Sequence, residues 1–136
     1  MRVFIFVAVV ALLWGSASGC GRSDKNYRGE RPCDKPWNHF ADGCSKSIED
    51  GDYFTPACDR HDICYNCGHL YGYSRKACDD GFWNDMGRIC SQTGAFGCSI
   101  KQSFYHTVVR NHGASSFKTT RLSPSCSESW VQSCLP

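Results

Sequence analysis

The sequence predicts a mostly α-helical, small disulfide-rich domain, in which two antiparallel core helices are bridged by disulfides and the N- and C-terminal parts are rich in loops. Three observations predict it. The chain has only 136 residues but eleven cysteines, and it begins with a segment typical of secreted proteins. Apolar residues follow a helical period only between about residues 56 and 111.

The N-terminal segment predicts a secreted, extracellular protein. One basic residue precedes the apolar run 3–14, which is too short to span a bilayer and is followed by the small residues GSASG. We interpret residues 1–19 as a signal peptide. A bacterial lipoprotein signal ending at Cys20 is the alternative, and it is disfavoured because Ala17 stands three residues before the cysteine instead of leucine.

Secretion predicts that the cysteines form disulfides, because thiols oxidise outside the cell. This argues against the alternative of a zinc site, which would use Cys58, Cys64, Cys67 and His69. The odd cysteine count needs an explanation. If residues 20–32 are a pro-segment whose removal takes Cys20 away, ten cysteines remain in a single domain over residues 33–136. An intermolecular bridge is the alternative.

The charge balance excludes one class of partner. Lys and Arg number 15 and Asp and Glu number 13, so the formal net charge is +2 at pH 7. Nucleic-acid-binding domains carry a larger and clustered positive charge. We therefore expect no nucleic-acid partner.

Periodicity and composition divide the domain into loops and helices. Three helices are predicted, over Pro56–His69, Ser74–Cys90 and Ser99–Asn111. The stretch Cys33–Thr55 is rich in Gly, Asp, Pro and Ser, which predicts loops with at most a short hairpin. From Gly113 onward the chain is polar and aperiodic, and we expect Cys126 and Cys134 to hold this tail.

The first two predicted helices each bury one ionisable residue. His61 lies near the centre of a face formed by Ala57, Cys58, Cys64 and Tyr65. Asp79 lies in the middle of an apolar stripe formed by Cys78, Phe82, Trp83, Met86, Ile89 and Cys90. Because a buried charge without a partner is costly, we expect His61 and Asp79 to face one another. Asp80 is the alternative partner.

A carboxylate on one imidazole nitrogen leaves the other nitrogen to take a proton, so the His61–Asp79 pair predicts a general base. No serine stands in a recognisable nucleophile context, which favours activation of water. Asp62 lies at the edge of the same helix face and predicts a calcium ligand. The loop residues Asp42 and Gly43 could add oxygen ligands, and the alternative for Asp42 is a plain turn residue.

The segment FTPACDRHDICY, with DGCS upstream and ACDDGFWNDM downstream, resembles the secreted phospholipases A2. Its CxxHDxC run, from Cys58 to Cys64, matches the signature of that superfamily. Two features differ from the common animal and snake-venom members: Ala57 replaces the first of two adjacent cysteines, and the YGCYCG calcium loop is absent. The pattern is closer to the short bacterial and fungal members and is most similar to the conodipines, phospholipase A2-like toxins of cone-snail venom. The match covers Asp42–Cys90.

The resemblance implies calcium-dependent hydrolysis of the sn-2 ester of glycerophospholipids at a membrane or micelle surface, by a secreted venom component. It implies that His61 deprotonates water and that Asp79 orients it. The implied calcium ligands are the Asp42 side chain, the Gly43 carbonyl and the Asp62 side chain. A catalytically weak or inactive binding toxin on the same scaffold is the alternative function.

The resemblance also implies three disulfides, Cys44–Cys58, Cys64–Cys78 and Cys90–Cys98. It leaves Cys20, Cys33, Cys67, Cys126 and Cys134 unassigned. Conodipines are known as two disulfide-linked chains cut from one precursor. A similar maturation here would require processing around Arg110–Arg121, where no strong dibasic signal stands.

Overall fold

A computed structural model describes residues 33, 38–44 and 52–136. The predicted signal peptide and pro-segment lie outside these residues. The helices are α1 over Thr55–Cys67, α2 over Arg75–Thr93 and α3 over Cys98–His112. Short 3₁₀ turns cover Gly68–Tyr71, Gly113–Ser115, Pro124–Ser127 and Val131–Cys134. No strand occurs among the described residues, so the predicted mostly helical class is confirmed. None of the described helices is long and apolar enough to cross a membrane.

Helices α1 and α2 are antiparallel. Their cross-contacts join Cys64 to Cys78, His61 to Asp79 and Arg60 to Asp85, so residue numbers rise along one helix as they fall along the other. The 3₁₀ turn Gly68–Tyr71 fills the short connection between them. The Ser74 side chain then caps α2 by accepting the Ala77 N–H at 3.1 Å. The predicted antiparallel pair is therefore present.

The start of α1 is fixed to α3 by a buried aspartate. The Asp52 side chain accepts the Phe54 N–H at 2.9 Å, immediately before α1 begins. Its other carboxylate oxygen accepts the Tyr105 hydroxyl and lies 3.1 Å from the Lys101 ammonium. Since both Tyr105 and Lys101 belong to α3, this contact holds α3 beside the first turn of α1.

Two apolar clusters lie on either side of α1. One joins α1 to the tail through Ile63, Val131 and Leu135. The other joins α1, α2 and α3 and contains Phe54, Ala57, Phe82, Met86, Ile89 and Tyr105. Most of the apolar stripe predicted for α2 is buried, but the inclusion of Trp83 was wrong, since its side chain is 39% exposed. It lies at the edge of the stripe, where it contacts the His106 ring.

Five disulfides join the ten described cysteines. The three pairings implied by the resemblance are confirmed: Cys44–Cys58, Cys64–Cys78 and Cys90–Cys98. Cys33–Cys134 and Cys67–Cys126 complete the set and close the longest loops, with separations of 101 and 59 residues. As predicted, Cys126 and Cys134 hold the tail. Long loops closed in this way restrict the unfolded chain most strongly. Cys20 lies outside the described residues.

Candidate active site

The structure brings His61 of α1 and Asp79 of α2 together. The His61 Nε2 lies 3.0 Å from the Asp79 Oδ1, and both side chains are buried, Asp79 completely. Asp80, the alternative partner, is exposed and pairs with Lys76 on the surface at 2.6 Å. Because a carboxylate accepts hydrogen bonds, Nε2 carries the proton of a neutral His61. Its Nδ1 is then the nitrogen that can accept a proton.

Asp79 accepts hydrogen bonds from two further side chains besides His61. The Tyr65 hydroxyl donates to the same Oδ1 at 2.6 Å. On the other oxygen, Arg110 Nη1 donates to Oδ2 at 3.1 Å, and Arg75 Nη1 lies 3.5 Å away. Burial opposes the charged form of Asp79, but the hydrogen bonds from His61, Tyr65 and Arg110 outweigh it and lower its pKa. The carboxylate is therefore fully ionised at neutral pH.

Aromatic rings hold the His61 imidazole in place. The Tyr65 ring centre lies 4.1 Å from that of His61, and the Phe82 ring centre lies 4.7 Å away. Tyr65 in turn depends on a close approach of the chain at Gly113. A Cβ at Gly113 would overlap the Tyr65 hydroxyl, so a residue without a side chain is required there.

The loop that contains Asp42 and Gly43 is held against α1 by two carboxylates. The Asp42 N–H donates to the Asp62 Oδ2 at 3.1 Å, and the Gly43 N–H donates to the Asp59 Oδ1 at 2.9 Å. Gly43 has φ +77°, a left-handed conformation that favours glycine. Two successive amides are thus bound by residues three apart on one helix face. The disulfide that follows the loop fastens it to the same helix.

The carboxylates of Asp42 and Asp59 lie close enough to Asp62 to affect its ionisation. Burial, followed by the proximity of the Asp42 and Asp59 carboxylates, raises the Asp62 pKa to about 8. A cation bound between these carboxylates would favour the ionised form of Asp62 and so lower its pKa. Hard oxygen donors of this kind suit calcium. No group of three or more His, Cys, Asp or Glu side chains suited to a metal occurs in the described part of the chain. A metal at Asp42 and Asp62 would therefore need backbone carbonyls or water as well.

A pocket of about 110 Å³ lies beside these groups. Its lining consists of Gly43, Cys44, Cys58, His61, Asp62, Phe82, Tyr105, Val108 and Val109. Most of this lining is apolar, and the polar groups lie on the side of α1 and the loop. An apolar cavity with few convergent polar groups is the usual form of a small-molecule site. Each residue predicted to act in the site lines this pocket or bonds to a residue that does.

Four contacts at the site were not predicted from the sequence, those of Asp59, Tyr65, Arg75 and Arg110. The helical wheel placed Tyr65 on the same face as His61, which was the available signal for its hydroxyl. The two arginines reach Asp79 from the N-terminal end of α2 and the C-terminal end of α3. Arg75 stands four residues before Asp79 on the same helix, and this spacing was the available signal for it. No local pattern relates Arg110 to Asp79, because the two lie 31 residues apart.

A buried histidine–carboxylate pair beside an apolar pocket is typical of hydrolytic sites in which histidine activates a nucleophile. Sequence similarity to known proteins narrows this broad class to relatives of one kind. The chain is 39% identical to Conodipine-P1 and Conodipine-P2 of Conus purpurascens, in each case over 84 residues that cover 60% of this chain and 47% of the relative. It is 50% identical to the Conodipine-M alpha chain of Conus magus over 38 residues, which cover 28% of this chain and 49% of the relative.

The predicted relationship to the conodipines is confirmed by these similarities. The chain spans about half the length of the curated relatives it matches. No protein-family model matches the chain, and no solved structure matches it.

Proposed function

We propose that the protein is a calcium-dependent phospholipase A2, which hydrolyses the sn-2 ester of glycerophospholipids. The observation that carries the proposal is the 3.0 Å contact between His61 Nε2 and the buried Asp79, beside an apolar pocket with Asp62 and Gly43 in its lining. The relationship to the conodipines supports the same reaction.

His61 acts as the general base. Its Nδ1 takes a proton from water while the water oxygen bonds to the carbonyl carbon of the ester, which leaves a tetrahedral oxyanion. Asp79 stabilises the imidazolium through Nε2. The oxyanion then collapses, the bond from the carbonyl carbon to the glycerol oxygen breaks, and His61 returns the proton to that oxygen. The products are a fatty acid and a lysophospholipid.

Asp42, Asp62 and the Gly43 carbonyl are the proposed calcium ligands. A calcium ion bound there would supply positive charge that stabilises the oxyanion and the substrate phosphate. The chain's own contribution is to hold the half-buried Asp62 beside the exposed carboxylate of Asp42, whose proximity helps to raise the Asp62 pKa. The contacts of Asp59 and Asp62 with the loop amides support this role, since they fix the loop before any ligand binds.

An exposed apolar stripe on α3 supports a lipid surface as partner. Ile100 and Phe104 are 77% and 51% exposed, and with Val108 they are spaced four residues apart, on one side of the helix. Val108 lines the pocket, so the stripe runs toward the pocket. We expect the Ile100→Ser, Phe104→Ser double variant to bind phosphatidylcholine vesicles more weakly. The control is Leu70→Ser, an exposed apolar residue outside the pocket lining.

Five disulfides support secretion, because such bridges persist in oxidising compartments. We propose that residues 1–19 are a signal peptide and that the protein is a secreted venom component. Cleavage between Arg110 and Arg121 would give two chains that Cys67–Cys126 and Cys33–Cys134 would keep together. Mass spectrometry of the mature protein before and after reduction tests this: a single mass in both states would contradict cleavage.

Fatty-acid release from mixed phospholipid micelles tests the enzyme proposal. We expect release with calcium, none with a chelator in excess, and none from His61→Gln. His39→Gln is the matched control, because His39 is exposed and lies outside the pocket lining. If the wild-type protein releases no fatty acid in calcium, the alternative of a binding toxin on the same scaffold replaces the proposal.

A further inference from the structure

The last turns of α3 reach the buried carboxylate of the site through Arg110. Its Nη1 donates to the Asp79 Oδ2 at 3.1 Å. The other oxygen, Oδ1, already accepts from His61 and Tyr65. Arg110 is therefore the one hydrogen-bond donor to Oδ2 among the described residues.

The second arginine near Asp79 has a different task. Arg75 Nη1 donates to the carbonyl oxygens of Val109 and Arg110, at 3.2 and 3.1 Å, and lies 3.5 Å from the Asp79 Oδ2. It thus ties the end of α3 to the start of α2 and satisfies carbonyls near a helix end. Arg75 places the Arg110 backbone, and the Arg110 side chain then reaches Asp79.

We propose that Arg110 is a positioning residue for the histidine–carboxylate pair, an inference that rests on the proposed function. A carboxylate bonded through one oxygen can rotate about its Cβ–Cγ bond, which would move Oδ1 away from the His61 Nε2. A charge-assisted hydrogen bond to the second oxygen fixes the plane of the group. Arg110 therefore acts through Asp79 and keeps the imidazole oriented toward the pocket.

A competing role for Arg110 is direct binding of the substrate phosphate. Its side chain is 34% exposed, its neighbours Val108 and Val109 line the pocket, and arginine binds phosphate well. The two roles differ in kinetics. Loss of a positioning contact lowers kcat, whereas loss of a phosphate contact that is equal in the ground and transition states raises KM.

The first test compares Arg110→Gln and Arg110→Lys with wild type in the fatty-acid release assay. We expect Arg110→Gln to lose about tenfold to a hundredfold in kcat, the loss typical of a misplaced catalytic group, with KM nearly unchanged. Arg110→Lys should recover much of kcat, since it keeps a charged donor. Arg88→Gln, which removes an exposed charge from α2, is the control. An unchanged kcat, or a rise in KM alone, would overturn the proposal.

The second test asks whether Arg110 acts through Asp79. If it does, Arg110→Gln should have almost no further effect on kcat in a protein that already carries Asp79→Asn, because the two residues work as a unit. Equal fold losses in the two backgrounds would show that Arg110 acts independently, which contradicts the proposal.

A proton NMR signal tests the role of Arg110 without any measurement of phospholipid hydrolysis. The His61 Nε2–H, which donates to a buried carboxylate, should give a proton NMR signal at low field that is absent from Asp79→Asn. We expect Arg110→Gln to shift or broaden this signal and Arg110→Lys to restore it. A wild type that does not hydrolyse phospholipid would end the functional proposal but leave this measurement intact. A signal unchanged in Arg110→Gln would overturn the role of Arg110 itself.

Discussion

The two aspartates near His61, Asp79 and Asp62, differ in the number of hydrogen bonds that the protein donates to their carboxylates. Asp79 is fully buried, yet it has hydrogen bonds from His61, Tyr65 and Arg110, and its pKa is lowered. Asp62 is less buried. Its side chain accepts a hydrogen bond from the Asp42 backbone N–H, and its pKa is raised to about 8. The more deeply buried carboxylate is thus the more readily ionised one.

The difference shows that partners outweigh burial in setting the charge of a carboxylate. The Asp79 environment is complete in the protein alone, as expected for a group that must hold one orientation through a reaction. The Asp62 environment favours the neutral form of the carboxyl group, and a nearby cation would favour its ionised form, as we expect for the proposed calcium ligand. Four measurements test this contrast between Asp79 and Asp62.

The largest effect is expected from Asp79→Asn. An amide in place of the carboxylate can stabilise the wrong tautomer of His61 and no longer balances the imidazolium, so kcat should fall by about 10³- to 10⁴-fold. Calcium binding, measured by calorimetry, should be nearly unchanged because the proposed ligands are elsewhere. Asp80→Asn, on the surface of the same helix, should retain full activity. Parallel losses of calcium binding and activity in Asp79→Asn would contradict two separable environments.

Asp62→Asn should give the next largest effect. We expect loss of the rise in Tm that calcium produces in wild type, since a ligand stabilises a protein only when the folded state binds it. In chelator at pH 9 the variant should be more stable than wild type, because it lacks a buried charge without a cation. A calcium-dependent rise in Tm that persists in Asp62→Asn would remove this residue from the proposed site.

Gly113→Ala should disturb the Asp79 environment indirectly. The added methyl group would overlap the Tyr65 hydroxyl, so we expect a loss of about 1–3 kcal/mol in the free energy of unfolding, as for other overpacked sites. Tyr65→Phe removes that hydroxyl. The alanine should therefore cost less in a Tyr65→Phe background, measured by denaturant unfolding. Equal costs in both backgrounds would contradict the close contact.

The smallest effect concerns acid stability. The folded-state pKa of Asp79 lies below its ordinary value of 3.8, so between these two values the unfolded chain binds more protons. The resulting stability is present above pH 3.8 and is lost as pH falls through the folded-state pKa. Asp79→Asn lacks this contribution. We expect the stability difference between wild type and variant to shrink on acidification below pH 4, as measured by urea unfolding at several pH values; a constant difference would contradict the lowered pKa.

The features predicted from the sequence are those that depend on local spacing. Helical periodicity gave the three helices within a few residues of their observed ends, and it placed His61 and Asp79, but not Asp80, on buried faces. Arg110 escaped prediction because its partner lies 31 residues away, and an arginine on an amphipathic helix usually faces solvent. The Cys33–Cys134 and Cys67–Cys126 pairings could not be predicted either, because the sequence around a cysteine does not identify the cysteine to which it is bonded.

The Cys44–Cys58 disulfide has a consequence for how the proposed calcium site responds to its surroundings. It closes a 14-residue separation between the loop and α1, which reduces the ordering that a bound ion must impose on the loop. Cleavage of this single bridge should therefore loosen ion binding while the other four bridges keep the helices together. Calcium affinity would then depend on the redox state of the medium. The loop would be preordered outside the cell, where the disulfide is oxidised, and less ordered in a reducing cytosol, where it is reduced.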